Sequence, residues 1–236
     1  MNKLKYIFFD LDDTLLDTHR ILIPSAVQKA CQVMIDNGLN VDLLKCLNSW
    51  KQFHLYFTGQ ELFSRITQEH LIANNVEILE RQKIIAKLGY ESFLNPVLPD
   101  VLPVEFQIIE LLRKLKLKYH LILLTQGDPD IQNQKIVKMN IENFFEDIII
   151  IHSLKNETKL IGFNKIISKY NIIEVEQTCL SVGNRLSHEI AFAKQLGIKT
   201  CYLKKGEHAH ELPQNTFEIP DWTILNLVEL EKIILP

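Results

Sequence analysis

Several features that would narrow the function of this chain are scarce or missing from its sequence. Its 236 residues include only 4 cysteines, which are widely spaced and form no CxxC pair, so we expect reduced thiols rather than a disulfide framework. No apolar run approaches the roughly 18–20 residues that would cross a membrane. The net charge is only −3, so the sequence lacks the cationic signature of a protein that binds nucleic acid or an anionic membrane surface.

What the sequence does contain is enough apolar material for a folded core. Hydrophobic residues make up 47% of the chain and the mean hydropathy is +0.02, which excludes long disorder. The beginning of the sequence lacks the small-residue cleavage site of a signal peptide, so we expect a cytoplasmic protein. The length exceeds the usual ~100–150 residues of one domain and is compatible with one large domain or with an inserted module. The oligomeric state stays open.

The pattern of apolar residues predicts an α/β fold that is interrupted once. The apolar run at 6–9 stops at Asp10 and is typical of a strand buried on both faces of a parallel sheet. Between about 21 and 94 only helical spacing occurs, which predicts four helices, the last ending near Gly89. After a proline-containing linker, helices alternate with strands. We predict helices at 104–118, 130–139, 159–170 and 187–196, with strands at 120–125, 147–151, 178–182, 198–203 and 222–224 and a last helix after them.

This alternation indicates a Rossmann-like, doubly wound parallel sheet that is covered by helices on both faces. The chain then divides into an α/β core domain, 1–16 and 100–236, and an inserted all-helical domain, 17–99. In open sheets of this kind, ligands bind beyond the carboxyl ends of the strands. Polar residues that follow a predicted strand are therefore the candidates for a functional site.

Two aspartates directly follow the first predicted strand. In an extended segment, residues i and i+2 point the same way, so Asp10 and Asp12 can face one site. Two carboxylates held this close repel each other, and a cation between them relieves the repulsion. The alternative is that they cap the turn and the next helix. The apolar strand before them and Thr14 after them favour the functional interpretation.

The segment 8–17, FFDLDDTLLD, resembles the first motif of the haloacid dehalogenase (HAD) superfamily of hydrolases. The resemblance implies that Asp10 is a nucleophile that forms an aspartyl-phosphate and that Asp12 is the general acid and base. By its position, length and helicity, the insert is similar to the cap of that superfamily. In the superfamily such a cap closes over the site and contributes substrate contacts.

Two further segments resemble the next motifs of the superfamily. Thr125, Gln126 and Gly127 follow a predicted strand, and the resemblance implies that the Thr125 hydroxyl and the following N–H groups hold phosphoryl oxygens. The third motif is one lysine that offsets the carboxylates. Lys155 and Lys159 are both candidates, and an aromatic residue a few positions after the second one favours Lys159.

The segment 183–189, GNRLSHE, resembles the fourth motif but departs from it twice. Asn184 and Glu189 stand where the superfamily usually has aspartates. An amide oxygen can still bind a hard cation, and Glu189 keeps a negative charge. The resemblance thus implies a Mg²⁺ site formed by Asp10, the main-chain carbonyl of Asp12, Asn184 and Glu189.

Together these motifs predict a Mg²⁺-dependent phosphomonoesterase that acts on a small phosphorylated metabolite. A sugar phosphomutase would use the same groups, and the sequence does not separate the two. A dehalogenase has a leaving group that needs no proton, so the presence of Asp12 argues against it. A non-catalytic phosphate-binding protein on a decayed hydrolase fold finds its only support in Asn184. Nothing in the sequence identifies the substrate.

Overall fold

The structure is a computed structural model that describes residues 3–152 and 157–235. Within these ranges the strands form one six-stranded sheet with the order β3-β2-β1-β4-β5-β6, in which every neighbouring pair is parallel. The strands are β1 (Tyr6–Phe9), β2 (His120–Gly127), β3 (Asp147–His152), β4 (Cys179–Gly183), β5 (Lys199–Leu203) and β6 (Trp222–Ile224). This confirms the predicted Rossmann-like α/β fold.

Helices connect the strands, and several of them make up most of the long segment between β1 and β2. They are α1 (Thr18–Ile21), α2 (Ile23–Asp36), α3 (Leu43–Phe53), α4 (Gly59–His70), α5 (Val76–Leu94), α6 (Phe106–Lys116), α7 (Pro129–Met139), α8 (Lys159–Lys169), α9 (Val175–Thr178), α10 (Ala191–Gln195) and α11 (Leu230–Ile234). Over the described ranges, no helix combines the length and the apolar character needed to cross a membrane.

The chain forms two compact units. One consists of 1–19 and 98–236, and the other of 20–97. The second unit contains helices but no strand, and its core is a cluster of buried residues from all four of its long helices, namely Val27, Ala30, Cys31, Met34, Cys46, Leu62, Phe63, Ile66, Ile85 and Ala86 with Leu39. All four cysteines of the chain are buried and none forms a disulfide, as expected.

The prediction that the fourth helix ends near Gly89 is wrong. Helix α5 continues to Leu94. A Cβ atom at Gly89 would lie 2.6 Å from Sδ of Met34 and 3.0 Å from Cδ1 of Phe63. The glycine therefore lets neighbouring helices approach closely, and it does not stop the helix.

The strand side chains alternate between the two faces of the sheet. Phe8 belongs to a cluster with Phe163 of α8, whose ring lies with its centroid 5.0 Å away. Phe9 points to the opposite face, where its ring centroid lies 6.4 Å from that of Phe145. Burial on both faces explains why β1 reads as a continuous apolar run, and it fixes where the polar residues after Phe9 emerge.

Candidate active site

The residues after β1 lie at the switch point of the sheet. Strand β1 pairs with β2 on one side and with β4 on the other, so the chain reverses its direction of winding here. The N–H of Asp10 donates to the carbonyl of Val182 at 3.0 Å, which extends the pairing by one residue. At such a switch point, open α/β sheets form a ligand-binding crevice at the carboxyl ends of their strands, and Asp10 lies at this position.

A tight turn follows Asp10 and brings Asp12 back toward the same crevice. The carbonyl of Leu11 accepts from the N–H groups of Leu15 and Leu16 at 2.9 and 3.0 Å. Asp13 adopts a left-handed conformation with φ 55°, which aspartate tolerates better than most residues. Its Oδ1 accepts from the N–H of His19 at 2.8 Å and so fixes the turn.

One buried lysine joins two of the carboxylates. Nζ of Lys159, at the start of α8, lies 2.5 Å from Oδ1 of Asp10 and also pairs with Glu189. The second oxygen of Glu189 accepts from the N–H of Arg185 at 3.0 Å. Both oxygens of Glu189 are therefore engaged by the protein itself. The other predicted lysine, Lys155, lies outside the described residues.

Glu189 reaches Lys159 because of the local backbone after β4. A single π-helical turn, Leu186–Ile190, leads into α10, and such turns are frequent at functional sites. A Cβ atom at Gly183 would lie 2.2 Å from Cγ of Glu189, so only glycine leaves room for this side chain. The hydroxyl of Ser181, on β4, donates to the carbonyl of Glu189 at 3.1 Å and so holds the turn against the strand.

Burial and mutual charge set the protonation of this cluster. Burial raises the pKa of Asp10 to about 7. The positive charge of Lys159 lowers this pKa, but the effect is smaller than that of burial, and the negative charge of Glu189 raises the pKa further. Burial by itself would lower the pKa of Lys159, but Asp10 and Glu189 raise it above its usual value. Lys159 is therefore cationic, and it lowers the pKa of Glu189, which burial by itself would raise.

Asp12 is held by a different set of donors. Its Oδ1 accepts from Nζ of Lys135 at 2.7 Å and from the hydroxyl of Thr18 at 2.5 Å, and its Oδ2 accepts from Nε2 of Gln132 at 2.9 Å. Burial by itself would raise the pKa of Asp12, but Lys135, Thr18 and Gln132 together bring it below its usual value. Asp12 is thus an ionised carboxylate with both oxygens fixed.

The predicted phosphate-binding segment lies next to Asp12. The hydroxyl of Thr125, which is 1% exposed, accepts from Nε2 of Gln132 at 2.6 Å. Gln126 donates instead to the carbonyl of Glu157 at 3.3 Å. A Cβ atom at Gly127 would lie 2.9 Å from Cγ of Gln132, so the glycine makes room for that side chain. The side-chain amide of Gln132 therefore donates hydrogen bonds to both Thr125 and Asp12.

Gln132 and Lys135 are not among the site residues that the sequence predicts. Both lie on α7 and both are buried, at 2% and 7% exposure. The signal that could have found them is a pair of polar residues three positions apart, directly after the second motif, since this spacing places them on one face of a helix. Nothing in the sequence, however, indicates that this face turns toward Asp12.

Asn184 lies directly after β4 and is 4% exposed. Its Nδ2 donates to the carbonyl of Lys205 at 3.3 Å, which leaves Oδ1 as its remaining acceptor. In the part of the chain that the structure describes, no three His, Cys, Asp or Glu side chains are arranged to hold a metal ion. The predicted oxygen donors for a hard cation are the carboxylates of Asp10 and Glu189, the main-chain carbonyl of Asp12 and the amide of Asn184.

The charge of the cluster fits a cation at this place. Asp10, Asp12 and Glu189 contribute three carboxylates, and Lys135 and Lys159 contribute two ammonium groups. When all five groups are ionised they carry one net negative charge, and a bound cation would favour this state over the one in which Asp10 is protonated. The oxygen donors are also of the type that Mg²⁺ prefers.

Comparisons with known proteins show which family the chain resembles. The family model of haloacid dehalogenase-like hydrolases matches residues 4–197. The glyceraldehyde 3-phosphate phosphatase of Pyrococcus furiosus is 30% identical over 99% of this chain and 94% of its own length. The protein of the same name from Methanopyrus kandleri is 26% identical over 98% of this chain and 97% of its own. The N-acylneuraminate-9-phosphatase of mouse is 22% identical over 99% and 95%.

Solved structures share the fold. A predicted phosphoglycolate phosphatase from Haemophilus somnus superposes with a TM-score of 0.65 at 18% identity and covers 99% of both chains. The HAD-hydrolase YfnB from Bacillus subtilis, solved with bound magnesium, superposes with a TM-score of 0.63 at 16% identity over 98% of this chain and 99% of its own.

Proposed function

The chain belongs to the haloacid dehalogenase-like hydrolases and is a phosphatase of that family, and we propose that it hydrolyses a small phosphorylated sugar through a phosphoryl ester of Asp10. The observation that carries the proposal is the position of Asp10. It lies at the switch point of the sheet with one oxygen bound to the buried ammonium of Lys159, while Asp12 lies two residues further on. This is the arrangement that a nucleophile with a neighbouring acid and base requires.

In the first step, a carboxylate oxygen of Asp10 attacks the phosphorus atom. The bond from phosphorus to the substrate oxygen breaks, and Asp12 gives its proton to that oxygen, so an alcohol leaves. Asp12, which is ionised in the free enzyme, takes this proton up from solvent as the substrate binds, because the negative charge of the phosphoryl group raises its pKa. Lys159 and the hydroxyl of Thr125 offset the charge on the phosphoryl oxygens.

In the second step, water attacks the phosphorus of the aspartyl-phosphate. Asp12, now ionised, accepts a proton from that water, and the bond between phosphorus and Asp10 breaks. Inorganic phosphate leaves and Asp10 is again a carboxylate. The donors on Asp12 favour its ionised form, which is the form that this step needs.

We assign the binding of Mg²⁺ to Asp10, the main-chain carbonyl of Asp12 and Asn184. Bound to these residues, Mg²⁺ would neutralise charge on the phosphoryl group and would favour the ionised form of Asp10, which burial by itself disfavours. Glu189 remains a candidate for this set, because Lys159 and the N–H of Arg185 each form one hydrogen bond with its oxygens and leave further lone pairs free. It also holds Lys159 in place.

We propose glyceraldehyde 3-phosphate, or a phosphorylated sugar of similar size, as the substrate. Support comes from relatives with that activity in their names, which align with nearly the whole chain. The helical unit at 20–97 is the proposed cap of the enzyme, with the role of selecting the substrate. Asp12 argues against a dehalogenase, because a halide leaves without a proton.

The proposal is tested by phosphate release from a panel of phosphomonoesters that includes glyceraldehyde 3-phosphate, N-acylneuraminate 9-phosphate and p-nitrophenyl phosphate. Wild type, Asp10→Asn and the surface control Asp100→Asn are compared with Mg²⁺ and with EDTA. We expect release by wild type and the control with Mg²⁺ only. Equal release by Asp10→Asn would refute the role of Asp10. A sugar phosphate that is isomerised rather than hydrolysed would identify a mutase.

A further inference from the structure

We propose that Gln132 and Lys135 are positioning residues that aim Asp12 at the leaving oxygen and the hydroxyl of Thr125 at a phosphoryl oxygen. The inference rests on the proposed function, because it concerns the residues that carry the two steps. Both positioning residues come from one helix, α7, and both contact Asp12. Neither has a place in the motifs that the sequence analysis identified.

The side-chain amide of Gln132 connects Asp12 with Thr125. An ionised carboxylate only accepts hydrogen bonds, so the nitrogen of the amide must face it. Nε2 has two N–H groups, and it lies 2.9 Å from Oδ2 of Asp12 and 2.6 Å from Oγ1 of Thr125. Because the hydroxyl accepts from Gln132, its own proton is free to be donated. The amide thereby turns the proton of Thr125 toward an external acceptor such as a phosphoryl oxygen.

Lys135 fixes the other oxygen of the same carboxylate. Its Nζ lies 2.7 Å from Oδ1 of Asp12, and its side chain is 9% exposed. With Gln132 on Oδ2, the carboxylate cannot rotate about its Cβ–Cγ bond without breaking a hydrogen bond. A buried ion pair contributes little to stability compared with apolar packing of the same volume. We therefore infer that the main effect of the ion pair between Lys135 and Asp12 is to fix the orientation of the Asp12 carboxylate.

Gly127 belongs to the same arrangement. A Cβ atom there would lie 2.9 Å from Cγ and 3.0 Å from Cδ of Gln132. The missing side chain lets the amide of Gln132 lie against the end of β2, beside Thr125. The glycine of the second motif thus serves the position of Gln132.

A misdirected Asp12 has a consequence that depends on the substrate. When the bond from phosphorus to an alkyl oxygen breaks, that oxygen must take the proton of Asp12, because an alkoxide is a poor leaving group. When the leaving group is p-nitrophenolate, the anion is stable and leaves without the proton. Loss of Gln132 or Lys135 should therefore slow the transfer from an alkyl phosphate much more than the transfer from p-nitrophenyl phosphate.

The test is kcat/KM for glyceraldehyde 3-phosphate and for p-nitrophenyl phosphate, because kcat/KM covers only the steps up to the first transfer. The variants are Gln132→Ala and Lys135→Met. Their matched controls are Gln134→Ala, exposed on the same helix, and Lys138→Met, one turn further on. The thermal midpoint of each variant is recorded, and Gln132→Leu, which keeps the volume, replaces Gln132→Ala if that variant does not fold.

We expect each variant to lower kcat/KM for the alkyl phosphate by about 100-fold, with a much smaller loss for p-nitrophenyl phosphate and none in either control. An equal loss on both substrates, or no loss, in a folded variant would overturn the positioning role. A wild type that releases phosphate from neither substrate would instead refute the proposed function, so the two failures are distinguishable.

Discussion

Nζ of Lys159 lies 2.5 Å from Oδ1 of Asp10, and the two side chains are only 2% and 8% exposed. The same ammonium pairs with Glu189. The ammonium group at the start of α8 therefore links two other segments, the end of β1 and the π turn after β4. Such a shared cation both offsets the repulsion between the two carboxylates and leaves Asp10 facing the crevice at the switch point.

Replacing Lys159 should abolish activity and weaken the fold. In Lys159→Met, Asp10 and Glu189 remain buried without their cation, so we expect a loss of about 3–5 kcal/mol in the free energy of unfolding together with loss of phosphate release. Urea unfolding and a phosphate-release assay measure the two effects. Lys155→Met is the control that separates the two predicted lysines. Loss of activity in Lys155→Met, with activity retained in Lys159→Met, would reverse our assignment.

Replacing Asn184 should change the affinity for Mg²⁺. Asn184→Asp adds a negative charge to the proposed oxygen donors, and we expect Mg²⁺ to bind roughly tenfold more tightly. Asn184→Leu removes the donor and should weaken binding. Calorimetric titration of the free enzyme with Mg²⁺ measures this without relying on activity. Asn133→Asp, on the exposed face of α7, controls for the added charge. Equal affinity in all three Asn184 forms would exclude this residue as a ligand.

Asp221 should make stability depend on acid pH. Its Oδ2 accepts from N and Oγ1 of Thr200 at 2.8 and 2.9 Å, and its Oδ1 lies 2.9 Å from Nζ of Lys194. Burial by itself would raise the pKa of Asp221, but Lys194 and Thr200 bring it below the usual value. A lowered pKa in the folded state contributes stability at neutral pH, and that contribution is lost as the pH falls through the folded pKa.

For Asp221→Asn we therefore expect the free energy of unfolding to fall by about 1–2 kcal/mol at pH 7. The difference from wild type should shrink below about pH 4. Urea unfolding over this pH range checks the expectation, with the fully exposed Asp100→Asn as control. A difference that stays constant at acid pH would show that the charge of Asp221 is not the cause.

Gly89→Ala should destabilise the helical unit, although alanine is the better helix former by up to ~1 kcal/mol. The new methyl group would meet Met34 at 2.6 Å, and overpacking of this kind costs about 1–3 kcal/mol. Thermal unfolding of the single variant and of Gly89→Ala combined with Met34→Ala measures the coupling. The cost should shrink in the double variant, where the space is free. A stabilising single substitution would contradict the packing argument.

Much of the fold and the centre of the site follow from the sequence. The apolar runs of β1 and β2 locate two buried strands, and Asp10 follows β1 as predicted. Thr125, however, lies within β2, because this strand continues to Gly127 and pairs with β3 beyond its predicted end at 125. Lys159, the lysine that the sequence favours for the third motif, is buried and forms an ion pair with Asp10. These features are visible because strand periodicity is local and because parallel strands carry their ligands at one edge.

The rest depends on contacts between distant parts of the chain. The end predicted for α5 was wrong, because the local sequence pattern treats Gly89 as the end of a helix. In the structure this glycine allows close packing against Met34 and Phe63 of neighbouring helices. Gln132 and Lys135 lie more than a hundred positions from Asp12, so no local pattern indicates which side of α7 faces it. Likewise, the engagement of both oxygens of Glu189 becomes visible only in three dimensions.

The most direct test of the mechanism is to trap the phosphoryl group on the enzyme. Wild type is mixed with substrate and Mg²⁺, quenched in acid and treated with borohydride, which reduces an aspartyl-phosphate to homoserine. Peptide mass spectrometry then locates the modified residue, and a sample without substrate is the control. We expect homoserine at position 10 only when substrate is present. Substrate-dependent homoserine at Asp12 or Asp13, with Asp10 intact, would contradict the account.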